Sequence, residues 1–167
     1  WTAQLGMNLM SATLVFDESG EPLHVQQRKQ IEAYREDVER VARAQGVQAL
    51  RWPDPFPADA EWAMLVATYA KQIGRAVAFS LAAFRQAFAG GRDLGERDTV
   101  LIAAAACEMH PTALIKGAEL GSIAGRLERA TAEAAASGVL DVPAVVIDGI
   151  AFHGDRELER AAAVRAA

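Results

Sequence analysis

Residues 138–154 read Gly-Val-Leu-Asp-Val-Pro-Ala-Val-Val-Ile-Asp-Gly-Ile-Ala-Phe-His-Gly, and no other stretch constrains the fold as much. Residues 144–147 form a short β-branched run. Asp148-Gly149 follows. An Asp-Gly pair between apolar runs is the strongest short-range hairpin signal, because both central positions of the tight turn need positive φ. Residues 150–152 are then the returning strand. Pro143 stands at the first position of the first strand, where its missing N–H does least harm to the ladder. A Val-Pro step entering a strand is also compatible with a cis bond. A pair of strands alone does not make a stable sheet, so something else must complete it. Residues 1–16, apolar with little helical period, can supply one further strand.

The rest of the chain reads as helices. Residues 17–22 are a solvated turn. Residues 26–45 carry Ile31, Tyr34, Val38 and Val41 at spacings of three and four, which predicts one apolar face. Glu36–Arg40 and Glu39–Arg43 are i,i+4 pairs on the opposite side. Gly46 is the expected stop. Residues 47–52 read as a short strand or an extended arm. Pro53, Pro55 and Pro57 exclude regular structure after it. Asp59 is a suitable N-cap for a helix lined by Trp62, Val66, Tyr69 and Ile73, with a break at Gly74. Val77, Leu81, Phe84 and Phe88 are the expected buried face of the next helix, which Gly90-Gly91 ends. A further helix is predicted over 96–109, with His110 near its C-terminal end. Pro111 opens a short one. Ser122 is the expected cap of another, with Ile123, Leu127, Ala130 and Ala134 inward and Gly138 at its close. Asp155 is a simple N-cap for a last helix to about residue 163.

With 167 residues, 51 % of them hydrophobic and 23 % charged, the chain can bury a core as a single domain. Abundant alanine and 7 % aromatics favour closely packed helices. A net charge of −5 without a basic stripe argues against nucleic acid as a partner. The longest apolar runs are too short to span a bilayer, and no secretory signal is visible, so no membrane and a cytoplasmic location are expected. The single cysteine, Cys107, lies among small apolar residues and reads as a buried hydrophobe rather than a reactive thiol. His24, His110 and His153 share no ligand spacing, so no metal is expected. Gly90-Gly91-Arg92-Asp93 is a helix terminus, not a phosphate cradle.

The order of these motifs carries a resemblance. A helix ending Ala-x-x-x-Gly-Val, then Val142-Pro143, a hydrophobic strand, Asp148-Gly149, and Phe152-His153-Gly154 before a last helix is similar to the C-terminal half of a thioredoxin-like domain. It resembles the DsbA-like superfamily, in the branch of 2-hydroxychromene-2-carboxylate isomerases and kappa-class glutathione transferases. Residues 84–89 and 91–94 resemble that family's helical insertion. The resemblance covers most of residues 34–158. It implies an α/β thioredoxin-like (DsbA-like) fold with an inserted all-helical subdomain: residues 1–52 and 122–167 in the thioredoxin-like part, incomplete at the N-terminus, and 53–121 in the insertion.

The resemblance also implies a site. In the family the residue before the proline, here Val142, pairs its backbone with the cysteinyl part of glutathione, a strand-addition contact that Pro143 keeps open. The segment that binds the glutamyl end falls on Asp155 and Arg156, at a helix N-terminus. His153 stands where the family often has tryptophan and is the candidate for the substrate pocket. The family's reactive group, a serine or a Cys-x-x-Cys, sits on a first helix that is expected before Trp1. The expected activity is a glutathione-dependent (or other low-molecular-weight thiol-dependent) isomerase or transferase acting on a small unsaturated aromatic electrophile. The alternatives are a thiol–disulfide oxidoreductase, or a non-catalytic thioredoxin-fold binding module if the natural protein begins at Trp1. A homodimer through the helical block is a further expectation, as in kappa-class transferases.

Overall fold

A computed structural model of the chain describes residues 24–139, 144–153, 157 and 160–163, with side chains from Ile31 onward. Helices α1 (His24–Ala44), α2 (Glu61–Gln72) and α3 (Ala76–Phe84) come first; α3 runs on into a π-helical turn, Arg85–Ala89. Then come α4 (Arg97–Ala105), α5 (Pro111–Ala118) and α6 (Gly121–Ala136), followed by strands β1 (Ala144–Ile147) and β2 (Ile150–His153). Residues 160–163 are helical again.

Alanine builds the larger core. Ala63, Val66, Ala67 and Ala70 form the buried stripe of α2, at spacings of three and four. Ala83 on α3, Ala87 in the π-helical turn, Ala103 and Ala104 on α4, and Ala118 on α5 meet it. Small side chains at these contacts let helix axes approach closely. Phe79, Leu94, Leu114, Val66 and Val100 fill the remaining space and are fully buried. Helix α2 is central: it packs on α3, α4, α5 and α6.

An irregular arm over residues 47–58 ties α1 to this block. It is neither strand nor helix. Its backbone is held where the Arg51 N–H donates to Phe88 C=O at 2.7 Å. The Asp54-Pro55 and Phe56-Pro57 peptides are cis. Trp52 meets Tyr34, Phe56 and Phe88 edge-on, at centroid distances of 6.4, 4.9 and 5.7 Å. Such geometry suits the quadrupoles of aromatic rings. The Trp52 indole N–H donates to Glu39 Oε1 at 2.7 Å.

The structure corrects several expectations. On α3 the buried side chains are Phe79, Ser80 and Ala83, while Val77 and Leu81 are 59 % and 43 % exposed. The helix is apolar nearly all round, so its own pattern has no polar face to orient it; its packing on α2 and α4 decides. On α1, Tyr34 and Val41 are exposed. Arg43 pairs with Glu39 at 3.6 Å as expected, but Arg40 pairs with Asp37 rather than Glu36. Helix α4 stops at Ala105, not near 109. His110 is the N-cap residue of α5, not the end of the preceding helix; its ψ of 124° reflects the exclusion of α geometry before proline. Ser122 lies inside α6, and Leu120 is its N-cap residue without a side-chain cap bond. Ala130 on α6 is exposed, while Ile123 is buried and Leu127 and Ala134 are half-buried. Ala60 occupies the N-cap of α2, and Asp59 serves that end from one residue outside, accepting the Glu61 N–H at 3.3 Å.

A second, smaller core lies at the hairpin. Val145 and Phe152 are buried with Ala161, and Ile147 packs against them. Among the described residues, no helix is long and apolar enough to cross a membrane.

Candidate functional site

The hairpin forms as the sequence requires. β1 and β2 pair antiparallel with Ala144 opposite His153, Val145 opposite Phe152, Val146 opposite Ala151, and Ile147 opposite Ile150. The turn residues Asp148 and Gly149 take φ of 49° and 79°. Positive φ at both positions matches the right-handed twist of the strands, and Asp-Gly tolerates it.

Side chains alternate between the two faces of the pair. Val145 and Phe152 point to the face covered by Ala161. Ala144, Val146, Ala151 and His153 therefore share the other face. That face is more open: Val146 is 42 % exposed and His153 half-buried. The register places His153 directly across from Ala144, the residue that follows Pro143 in the chain. Of the predicted site residues, His153 is thus located, at the hairpin end where Val142-Pro143 enters β1. Val142, Pro143, Asp155 and Arg156 lie outside the described residues, as do the strand and turn expected over residues 1–22. Among the described residues β1 pairs with β2 alone. A strand with one unpaired edge can take up an extended peptide-like ligand by main-chain hydrogen bonds.

The one cysteine is not built for thiolate chemistry. Cys107 follows α4 and is buried, its Sγ donating to the Ala103 C=O at 3.3 Å. Burial pushes its thiol pKa up, and the Arg75 guanidinium only partly pulls it back. Reactive cysteines need the opposite balance, an electropositive and partly open setting. Among the described residues no cluster of three or more His, Cys, Asp and Glu is arranged to hold a metal ion.

The sequence reading missed a second cluster of chemically interesting groups. Arg35 lies over both Trp52 and Phe56, 5.3 Å from each ring centroid. Arg97 lies over Trp62 at 4.2 Å and also pairs with Glu119 at 3.3 Å. The visible signal was the alternation of Trp52 and Phe56 with prolines 53, 55 and 57; the arginine that meets them is distant in sequence.

Neither a curated protein nor a solved structure matches the chain. A protein-family model does match it over residues 8–164, nearly the whole length: the protein belongs to the family of the DSBA-like thioredoxin domain.

Proposed function

We propose that this chain carries the thiol-binding wall and the helical block of a thiol-dependent enzyme, a glutathione-dependent isomerase or transferase acting on a small unsaturated aromatic electrophile. The observation that carries this reading is the hairpin register. It sets His153 directly across from Ala144, the residue that follows Pro143 in the sequence. Cys107 itself is a poor candidate for the nucleophile, being buried with its thiol pKa raised.

In this reading Val142 pairs its backbone N–H and C=O with the extended cysteinyl part of the bound thiol. Pro143, lacking an N–H, leaves that edge open. Asp155 and Arg156 hold the glutamyl end, and His153 lines the pocket for the electrophile. When bound, the thiol supplies a nucleophile that adds reversibly to the unsaturated substrate. The protein's contribution is orientation and proximity. The helical block, residues 53–121, is the inserted subdomain, and a cytoplasmic homodimer is the assembly we propose.

Membership of the DSBA-like family favours one other reading, a thiol–disulfide oxidoreductase. The natural gene product separates the two. Under our reading glutathione binds saturably and shifts the amide resonances of Ala144 and His153, and the protein isomerises a hydroxychromene carboxylate. No glutathione binding, together with catalysed reduction of insulin disulfides, would overturn it in favour of the oxidoreductase.

A further inference from the structure

Helices α1, α2, α4 and α6 end alike. Each is followed by a residue at positive φ: Gly46, Gly74, Glu108 and Gly138. The N–H of that residue reaches a carbonyl three residues back, and the next N–H reaches one five residues back. At α1 these bonds run from Gly46 to Arg43 and from Val47 to Ala42, and the other three ends repeat the spacing. This is the Schellman closure of a helix.

The end of α3 departs from it by one residue. Gly91 has φ of 68°, as the closure requires. Its N–H, however, reaches Ala87 four residues back at 2.9 Å, and the Arg92 N–H reaches Gln86 six residues back at 3.0 Å. The Gly90 N–H spans the π-helical turn to Arg85 C=O at 2.9 Å. The common closure would give Gly91 the carbonyl of Phe88. That carbonyl is instead taken by the arm, accepting the Arg51 N–H at 2.7 Å. The extra residue of the π turn thus frees one acceptor, and the arm fills it. Single π turns inside α-helices are frequent at functional sites.

Two glycines make the exchange possible. A Cβ at position 90 would stand 2.7 Å from the Gln86 carbonyl oxygen, so the π register depends on glycine there. A Cβ at position 91 would meet Arg51 Cβ at 3.4 Å, so the arm lies directly on the turn. Arm and turn also share an apolar seam, Pro53, Phe56 and Ala58 on one side and Ala87 and Phe88 on the other.

We propose that the arm and the end of α3 form a latch with two registers. In the closed state, the one described here, the π turn offers Phe88 C=O to Arg51. In the released state residues 85–91 close as the other helices do, Gly91 N–H takes back Phe88 C=O, and the seam opens. The Phe88 carbonyl keeps a partner in both states, as a backbone acceptor must. Arg51 is exposed, so water can take over its N–H once the arm lifts. The two states therefore differ by little in hydrogen bonding, and a two-state element of this kind can be biased by small forces. The latch lies in the helical block and does not depend on thiol binding at the hairpin.

The test reads hydrogen-bond partners directly, by scalar couplings from amide nitrogen to acceptor carbonyl carbon in the isotopically labelled natural gene product. The wild type is expected to couple Arg51 to Phe88 and Gly91 to Ala87. Gly90→Ala, at an exposed position, crowds the π register. It is expected to move the Gly91 coupling to Phe88, abolish that of Arg51, and speed exchange of the Arg51 amide about tenfold, the factor one lost hydrogen bond allows. Arg51→Pro removes the arm's donor and is expected to move Gly91 to Phe88 from the other side. Persistence of the Gly91–Ala87 coupling in either folded variant overturns the latch. So does a Gly90→Ala protein in which Gly91 moves and Arg51 stays on Phe88, since the two events are then independent. Should Arg51→Pro fail to fold, Gly90→Ala decides by itself.

Discussion

Gly117 on α5 lies against the ring of Tyr69 on α2. A Cβ at position 117 would stand 2.3 Å from Tyr69 Cε2 and 2.6 Å from Cζ. The contact lets α5 approach the central helix as closely as it does. It also sets two effects against each other at one position. Replacing a mid-helix glycine with alanine gains about 1 kcal/mol of helix propensity, whereas overpacking costs ~1–3 kcal/mol. We expect Gly117→Ala to lower stability in urea unfolding. In a Tyr69→Ala background the same change should become neutral or stabilising, and a double-mutant cycle without coupling between the two sites would contradict this.

The α3 correction supports a paired prediction. Phe79 is fully buried, whereas Val77 is 59 % exposed. Phe79→Ala should cost ~3–5 kcal/mol, the usual loss for a buried aromatic, and Val77→Ala within about 0.5 kcal/mol. Comparable losses at both positions would mean that α3 is rotated from the orientation described.

Glu39 and Trp52 hold α1 to the arm through a partly buried hydrogen bond of 2.7 Å. A bond to a charged acceptor contributes about 1.5–3 kcal/mol. Glu39→Ala should lower stability by an amount in that range, and limited proteolysis should cut between α1 and the arm sooner than in the wild type. Unchanged cleavage would show that ring packing alone holds the helix.

The turn at Asp148-Gly149 has φ of 49° and 79°. Gly149→Ala forces a side chain into a left-handed conformation and should cost about 1 kcal/mol or more. Asp148→Asn should be nearly neutral, since asparagine accepts the same geometry. The check is the thermal midpoint of each variant together with the hairpin amide shifts.

Cys107 should react with a thiol reagent only slowly in the native protein and rapidly in urea, because burial raises its thiol pKa. The pH dependence follows from the same shift. The unfolded state ionises first as pH rises, so it binds fewer protons and stability falls. The native form keeps its advantage below the ordinary thiol pKa and loses it as pH climbs from there through the raised native value. Cys107→Ala should remove that alkaline slope. A slope that survives the substitution would place its origin elsewhere.

Much of the hairpin was legible because its signals are local. Asp148-Gly149 selects the turn, and the β-branched run before it selects the strand; the register then follows from the loop length. The positions of helices α1 to α6 were likewise carried by glycine, proline and apolar spacing. Gly46 and Gly138, with φ of 66° and 76°, end α1 and α6 where expected. Boundaries fared worse where one residue decides a cap, as at Ser122 and His110.

What the local pattern could not determine was which face of an apolar helix turns inward. Residues 76–84 contain no charged residue, so Phe79 and Val77 are equivalent candidates until Ala83 and its neighbours select one by close approach. Nor could it bring Arg35 to Trp52 and Phe56, or send Glu39 to the indole rather than to the arginine one turn away. Local sequence determines turns, stops and strand register, because those depend on the φ and ψ preferences of a few adjacent residues. Helix orientation and the partner of each charge were decided by tertiary packing, where van der Waals contact and desolvation between distant residues outweigh local preference.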